Sequence, residues 1–417
     1  MAAKSNNSAP AFVGIDIGSS KVTCVIGVSE ESSPTPSIIG VGTSKNTGMR
    51  KGQVVDIEDT MQAITNAVDE AERISGYAVD SATIGIGGVN IVSLNSKGVI
   101  AVGGMDKEIT IEDVHRVEDA ATVVQLPPNR EILQVFPRNY RLDGQDNIKD
   151  PVGMSGVRLE VDAHIITTST PALKNIERSL AQTGVVSNQF VVSTLASSNI
   201  VLDKKQKENG TAIIDIGSAT TGIAVYEEGE ILHTTILPVG SGHITNDLAI
   251  GLKTDLDTAE EIKRDFSNFS DDKDKSTKVH KIKEHDSKEE KEVKQKDIDL
   301  IVSARLNELF AMVDKELKKI HRSGKLPGGV VLIGGGSNLN GIQKVAKKVL
   351  QLNAKVAKPE NFSGIIESAG SPEFSNAVGL MVDDMIGSGD TKSNWGIGTS
   401  ISKGSSSLRS LFERFRP

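Results

Sequence analysis

Aromatic residues are nearly missing from this chain. Phe, Trp and Tyr make up 3% of its 417 residues, with one Trp and three Tyr. A base-stacking surface needs several rings in a row, so no nucleic-acid partner is expected. The formal net charge of −8 points the same way, because DNA binders present a basic face. Cysteine is as scarce. Cys24 stands alone, which excludes a disulfide within the chain and fits a reducing compartment. It sits in an apolar stretch and reads as a small buried hydrophobe. No run reaches the roughly 18 apolar residues needed to cross a bilayer as a helix. The opening MAAKSNNSAP lacks the apolar core of a secretory signal, so residues 1–10 read as a disordered leader. The protein is therefore expected in the cytoplasm, with any membrane contact peripheral. Seven histidines are scattered without metal spacing and read as surface or core residues.

What is present is a patterned globular chain, 37% hydrophobic. Residues 11–28, AFVGIDIGSSKVTCVIGV, read as strand, turn, strand, with a third short strand at 38–43. Residues 57–75 carry apolar side chains at helical spacing (Met61, Ile64, Val68, Ala71) and stop before Gly76. A strand is expected at 82–86. Residues 89–167 mix short strands with one helix near 111–124. Thr170 and Pro171 suit the cap and first turn of a helix over 169–183. A strand at 190–192 and a short helix at 195–202 follow.

Residues 211–226, TAIIDIGSATTGIAVY, then repeat the style of residues 11–26, with Asp16 and Asp215 at matching places. The repeat is far too long for a solenoid and points to two related α/β halves facing each other. From 271 to 297 the chain is a run of Lys, Glu and Asp. It reads as a solvated loop or frayed helix, with a partner-binding insert as the alternative. Helical periodicity returns over 298–321, and a strand at 330–333 runs into Gly334, Gly335 and Gly336. Residues 387–407 are a Gly/Ser-rich linker.

Three turns therefore follow strands: 16–21, 215–221 and 334–337. Glycine lets backbone approach a phosphate, and successive N–H groups form an anion-binding concavity. Gly18, Ser19 and Ser20 serve this in the first turn, and Lys21 adds a charge. Gly217, Ser218, Ala219, Thr220 and Thr221 do so in the second, and Gly334, Gly335, Gly336 and Ser337 in the third. Asp16 and Asp215 together suit a hydrated Mg²⁺, which keeps several waters and needs few carboxylates. Taken singly, each Asp-x-Gly is equally a tight turn. None of the three fits a P-loop or a Rossmann glycine pattern.

GIDIGSSK, IIDIGSATTGIAVY and VVLIGGGSNLNGI resemble the phosphate-1, phosphate-2 and adenosine motifs of the actin, Hsp70 and sugar-kinase superfamily. TAEEIK, residues 258–263, resembles the segment lining adenine and ribose in bacterial actins, which implies roles for Glu260 and Lys263. NIKDPVGMSGV at 147–157, LASS at 195–198 and the C-terminal SLRSLFERFRP bring the resemblance to the FtsA-like bacterial division family.

The resemblance implies an α/β fold of actin-like (ribonuclease H-like) duplicated domains with an inserted small α+β subdomain, 1C. Its boundaries would be 11–88 and 168–204 for subdomain 1A, with 89–167 for 1C. Subdomain 2A would take 205–242 and 310–386, and 2B would take 243–309. It implies ATP and Mg²⁺ as cofactors, filaments by self-association, and binding of the FtsZ C-terminal tail by 2B, where Arg305 and Glu308 share a helical face. Septal-ring assembly at the cytoplasmic face of the cell membrane, at the division site, would follow. Actins and Hsp70 proteins orient the attacking water with a Gln or Glu near the end of the first half. VSTLASSN at 192–199 offers only Ser197 or Ser198, so slow or negligible turnover is expected. Ser218 and Ala219 also replace glycines of the commoner second turn.

The tail supports this reading. Leu408, Leu411, Phe412 and Phe415 share one helical face, flanked by Arg409 and Arg414, the pattern of an interfacial anchor for membrane lipids. The alternatives are a tail that docks on its own protein or on a partner helix. For the whole chain the rival readings are a type IV pilus assembly protein, a metabolite kinase and an Hsp70-like chaperone of the same superfamily.

Overall fold

The computed structural model describes residues 11–29, 35–103, 107–267, 278–283, 290–360, 362–365 and 369–388. The leader, residues 389–407 of the linker and the anchor residues Leu408 to Phe415 lie outside the described residues, while Gly387 and Ser388, expected in the linker, end the helix Ser375–Ser388. Two sheets carry the duplicated halves. The first has six strands in the order Val186–Val192, Ser81–Ile86, Ala11–Ile17, Lys21–Val28, Ser37–Lys45, Ser363–Gly364. The second has five, in the order Glu230–Leu237, Thr221–Glu227, Thr211–Ile216, Val330–Ile333, Ala354–Val356. In each, an antiparallel hairpin is extended by a parallel strand on its first arm. Asp16 and Asp215 occupy the second-last place of the equivalent strands. These strands are apolar runs rather than alternating ones, because helices cover both faces.

The helix Ile57–Ser75 is set by an Asp56 cap on the Asp59 N–H and by Gly76 at φ 73°. Its buried stripe, including Ala63, Ile64, Ala67 and Ala71, packs on Ser37–Lys45. In the second half, Leu306, Leu309, Phe310, Val313 and Leu317 of the helix Gln295–Lys319 are fully buried. Among the described residues no helix is long and apolar enough to cross a membrane.

Residues 92–169 form a separate four-stranded antiparallel sheet with its own core and the helix Ile111–Thr122. Three of its strands are long rather than short, at 10, 13 and 12 residues. The sheet leans on the edge strand Glu230–Leu237 of the second half. Ser93 Oγ donates to the Thr234 carbonyl at 2.7 Å, and His164 Nε2 lies 3.2 Å from Thr234 Oγ1.

Three expectations need correction. Within 271–297, of which 271–277 and 284–289 lie outside the described residues, Val279–Lys283 and Glu290–Lys294 pair as antiparallel strands, and residues 295–297 open the next helix. Ile282 and Val293 drop into the second core, while Lys281 faces Glu292 and Lys283 faces Glu290. Two apolar residues at the right places and opposed charges across the strands suffice for pairing. The helix expected over 169–183 runs Thr170–Ala181, with Ser169 rather than Thr170 at the cap position and Pro171 in its first turn. The stretch 310–386 was expected wholly in the second half. Instead Ser363–Gly364 pairs with the first sheet, and the helix Ser375–Ser388 packs on Ala11–Ile17.

That return depends on Gly14. A Cβ there would lie 2.3 Å from the Met381 backbone N and 2.4 Å from the Ala377 carbonyl oxygen. Gly14→Ala is expected to destabilise the protein by about 1–3 kcal/mol through overpacking, read from urea denaturation. An unchanged midpoint would mean the last helix does not seat there.

Candidate functional site

The same backbone turn is built twice. The Gly18 N–H donates to the Lys21 carbonyl at 3.0 Å, and the Gly217 N–H donates to the Thr220 carbonyl at 3.0 Å. A Cβ on Gly18 would meet that carbonyl at 2.8 Å, so the first turn closes tightly only with glycine. Gly334 sits at φ +81°, and a Cβ there would lie 2.4 Å from Asp215 Oδ1. All three turns open on one cleft of about 470 Å³ between the halves. Asp16, Gly18, Ser19, Ser20 and Lys21 line it from the first half. Asp215, Gly217, Ser218, Ala219 and Thr220 line it from the second. Gly334, Gly335, Gly336, Glu260 and Lys263 line it as well.

Two expected residues face elsewhere. Thr221 is fully buried and donates to the Val239 carbonyl at 2.7 Å. It follows the turn by one strand position, which flips its side chain away from the cleft. Ser337 is buried and closes its own turn by donating to the Gly334 carbonyl at 2.7 Å. Ser197 and Ser198 also miss the cleft. Ser197 donates to the carbonyls of Ser193 and Thr194, and Ser198 bonds the Leu195 carbonyl and the Tyr226 hydroxyl. The helix Ser193–Val201 begins two residues earlier than expected, so Ser193 and Thr194 reach the cleft instead.

The centre of the cleft is a pair of carboxylates. Ser193 Oγ donates to Asp16 Oδ1 at 2.7 Å. Asn376 Nδ2 donates to Asp215 Oδ2 at 2.9 Å, and Thr194 Oγ1 does so at 3.4 Å. Burial raises the Asp16 carboxyl above the ordinary carboxylate range, against the pull of Ser193, Asn376 and Lys21. Burial, with the nearby Asp16 charge adding to it, pushes Asp215 up to about 6. Ser193, Thr194 and Asn376 were missed by sequence reasoning. They lie far from the glycine turns in sequence, and only folding brings them to the aspartates.

Around this centre the cations are held. Lys21 Nζ lies 3.2 Å from Glu373 Oε2 and 4.6 Å from the centre of the Phe374 ring. Lys263 Nζ bonds Glu260 Oε2 at 2.6 Å and Thr245 Oγ1 at 2.9 Å. Burial works to raise the Glu260 carboxyl, but its bonds from Lys263 and Thr245 hold it below the usual range. Thr220 Oγ1 donates to the Gly87 carbonyl at 3.3 Å and so ties the two halves at the cleft. Arg305 does not join this site. Its guanidinium forks onto Asp247 at 2.6 and 2.8 Å and reaches Glu308 at 2.7 Å, so its donors are largely engaged within the chain.

The shifted Asp215 carries a sign. The folded state keeps its proton up to about 6, while an unfolded chain releases it near ~3.9. The folded state therefore binds more protons between these values, so stability falls as pH rises from about 4 to about 6 and stays lower above. Asp215→Asn is expected to remove up to ~3 kcal/mol of that fall, read by urea denaturation at about pH 4.5 and about pH 7.5. Equal slopes in both proteins would show that Asp215 ionises without penalty.

Comparison with known proteins places this geometry. The family model "Cell division protein FtsA" matches residues 212–379, and the model "SHS2 domain inserted in FTSA" matches residues 88–167. FtsA of Pseudomonas aeruginosa is 34% identical over 371 residues, covering 89% of this chain and 88% of the relative. FtsA of Bacillus subtilis is 35% identical over 375 residues, covering 90% and 83%. Among solved structures, a PilM–PilN type IV pilus biogenesis complex superposes with a TM-score of 0.65 at 16% identity, covering 89% of this chain and 98% of that one. MreB5 of Spiroplasma citri bound to ADP gives a TM-score of 0.53 at 12% identity, covering 91% and 97%. At such identities these two structures speak for the fold alone, which is actin-like with an inserted domain. Sequence identity over nearly the whole length and the matched insertion both point one way: this chain belongs to the FtsA family of cell division proteins.

Proposed function

We propose that this protein clasps Mg–ATP between its halves, polymerises in that state, and tethers FtsZ filaments to the cytoplasmic face of the cell membrane at the septal ring. The observation that carries the reading is the convergence of three glycine turns and two carboxylates on one cleft. The turns leave no room for a Cβ at Gly18 or Gly334, which suits backbone amides that cradle phosphates. Two buried carboxylates with raised pKa values suit a divalent cation that relieves their charge. Asn376 Oδ1, buried beside them without a hydrogen-bond partner, suits a water of that cation. Mg²⁺ would be held by Asp16 and Asp215 through water and would neutralise phosphate charge. That MreB5, of the same fold, holds ADP supports the reading.

The residues of the chain bind and orient more than they activate. No Gln stands among the described cleft-lining residues, and residues 192–199 bring neither Gln nor Glu to the cleft. Glu260 is held by Lys263 at 2.6 Å, and the segment that would orient a water offers no suitable side chain, so turnover is slow. Binding at the cleft favours the closed, polymer-competent state. The amphipathic tail supplies the membrane contact. One tail binds weakly, and many on one filament bind strongly because the first attachment concentrates the rest. The FtsZ tail would dock on 2B, near Glu308 and the exposed Leu300. A pilus role is not favoured, because the pilus complex matches in fold alone.

Calorimetry is expected to show Mg–ATP binding that Lys21→Ala weakens about tenfold or more, as loss of a charge-assisted bond requires. No heat and no thermal protection from Mg–ATP would overturn the clasp. In liposome co-sedimentation the full chain should pellet with anionic vesicles more strongly in ATP, and a chain ending at Gly404 should stay in solution. Equal pelleting would remove the anchor.

A further inference from the structure

The stretch Pro372–Phe374, with the start of the helix Ser375–Ser388, touches all three turns of the cleft. The Pro372 carbonyl accepts the Gly334 N–H at 3.1 Å, on the third turn. Glu373 Oε2 lies 3.2 Å from Lys21 Nζ, and the Phe374 ring lies against the same ammonium, on the first turn. Asn376 Nδ2 donates to Asp215 at 2.9 Å, on the second, and its amide also favours the charged form of Asp16. Four residues within a stretch of five thus contact turns that lie far apart in sequence.

The chemistry of these contacts follows that of the proposed ligand. Glu373 offers Lys21 an anionic oxygen, as a phosphate would. Asn376 offers the aspartates the positive end of an N–H dipole, as a hydrated cation would. The Pro372 carbonyl takes up a backbone N–H of the glycine turn. We propose that residues 372–376 are an internal stand-in for Mg–phosphate: they hold the three turns in register, and the ligand must displace Glu373 from Lys21 to bind. This rests on the nucleotide reading above and adds the element that sets its affinity.

The energetics permit displacement. The side chains of Lys21 and Glu373 are 34% and 35% exposed, so the pair is screened by water and weak. A triphosphate brings several charges to the same ammonium and meets repulsion from Glu373 while that carboxylate remains near. Removing the carboxylate therefore frees the lysine and ends the repulsion together. A purely scaffolding role for Glu373 gives the opposite sign, since a loosened turn binds less well.

The test uses the full chain, as wild type, Glu373→Gln and Glu373→Ala. Calorimetry measures affinity for Mg–ATP and Mg–ADP, and thermal unfolding is followed without nucleotide. Glu373→Gln is expected to bind both nucleotides about threefold to fivefold tighter, the fold-change that a weak exposed ion pair is worth. It should also unfold at a lower temperature than wild type when nucleotide is left out. Glu373→Ala should move both quantities in the same directions. If wild type binds and folded variants bind equally or more weakly, the stand-in is wrong and the nucleotide reading survives. If no form binds, both fall.

Discussion

Asp16 and Asp215 come from strands in different halves, yet both open on one cleft with protein packed behind them. Two like charges so placed repel each other and lose hydration, and burial raises both pKa values. Everything near them answers that cost. Ser193, Thr194 and Asn376 donate to their oxygens. Lys21 stands beside the first and lowers its pKa. On the proposed function, a site that is uncomfortable alone would become favourable once a cation and an anion enter together. The duplicated fold therefore amounts to two half-sites that are satisfied by being closed on each other.

The last helix makes that closure a property of the whole chain. Asn376, in its first turn, binds Asp215, while Asp384, near its other end, accepts the Val13 N–H at 2.9 Å and the Thr83 hydroxyl at 2.9 Å. Asp383 is bonded by Asn199 at 3.0 Å, and burial pushes its carboxyl up to about 7. The helix follows the second half in sequence but belongs to the first half in space. One helix thus joins the carboxylate pair, at its start, to the first sheet, near its other end. The inserted sheet adds a second tie, since it leans on Glu230–Leu237 through Ser93 and His164.

The sequence by itself determined the two halves, the strand-turn pairs and the paired aspartates. A strand, an Asp, a Gly turn and a second strand form a local unit, and its periodicity and glycines sit within a dozen residues. The helix Ile57–Ser75 was legible for the same reason, with its cap, apolar stripe and terminal glycine all local. The division family was legible because its motifs are short and contiguous. What the tertiary structure alone decided is long-range. It decided that Ser193 and Thr194, rather than Ser197 and Ser198, reach the cleft, because a shift of the helix start by two residues turns a different face inward. Thr221 faces away because the strand resumes there and the pleat inverts it. A charged run gained a hairpin because Ile282 and Val293 found a core that the sequence does not display beside them. Glu373 and Asn376 reached Lys21 and Asp215 because the chain returned to its first half, and a contact across more than a hundred residues leaves no periodic mark for local reading.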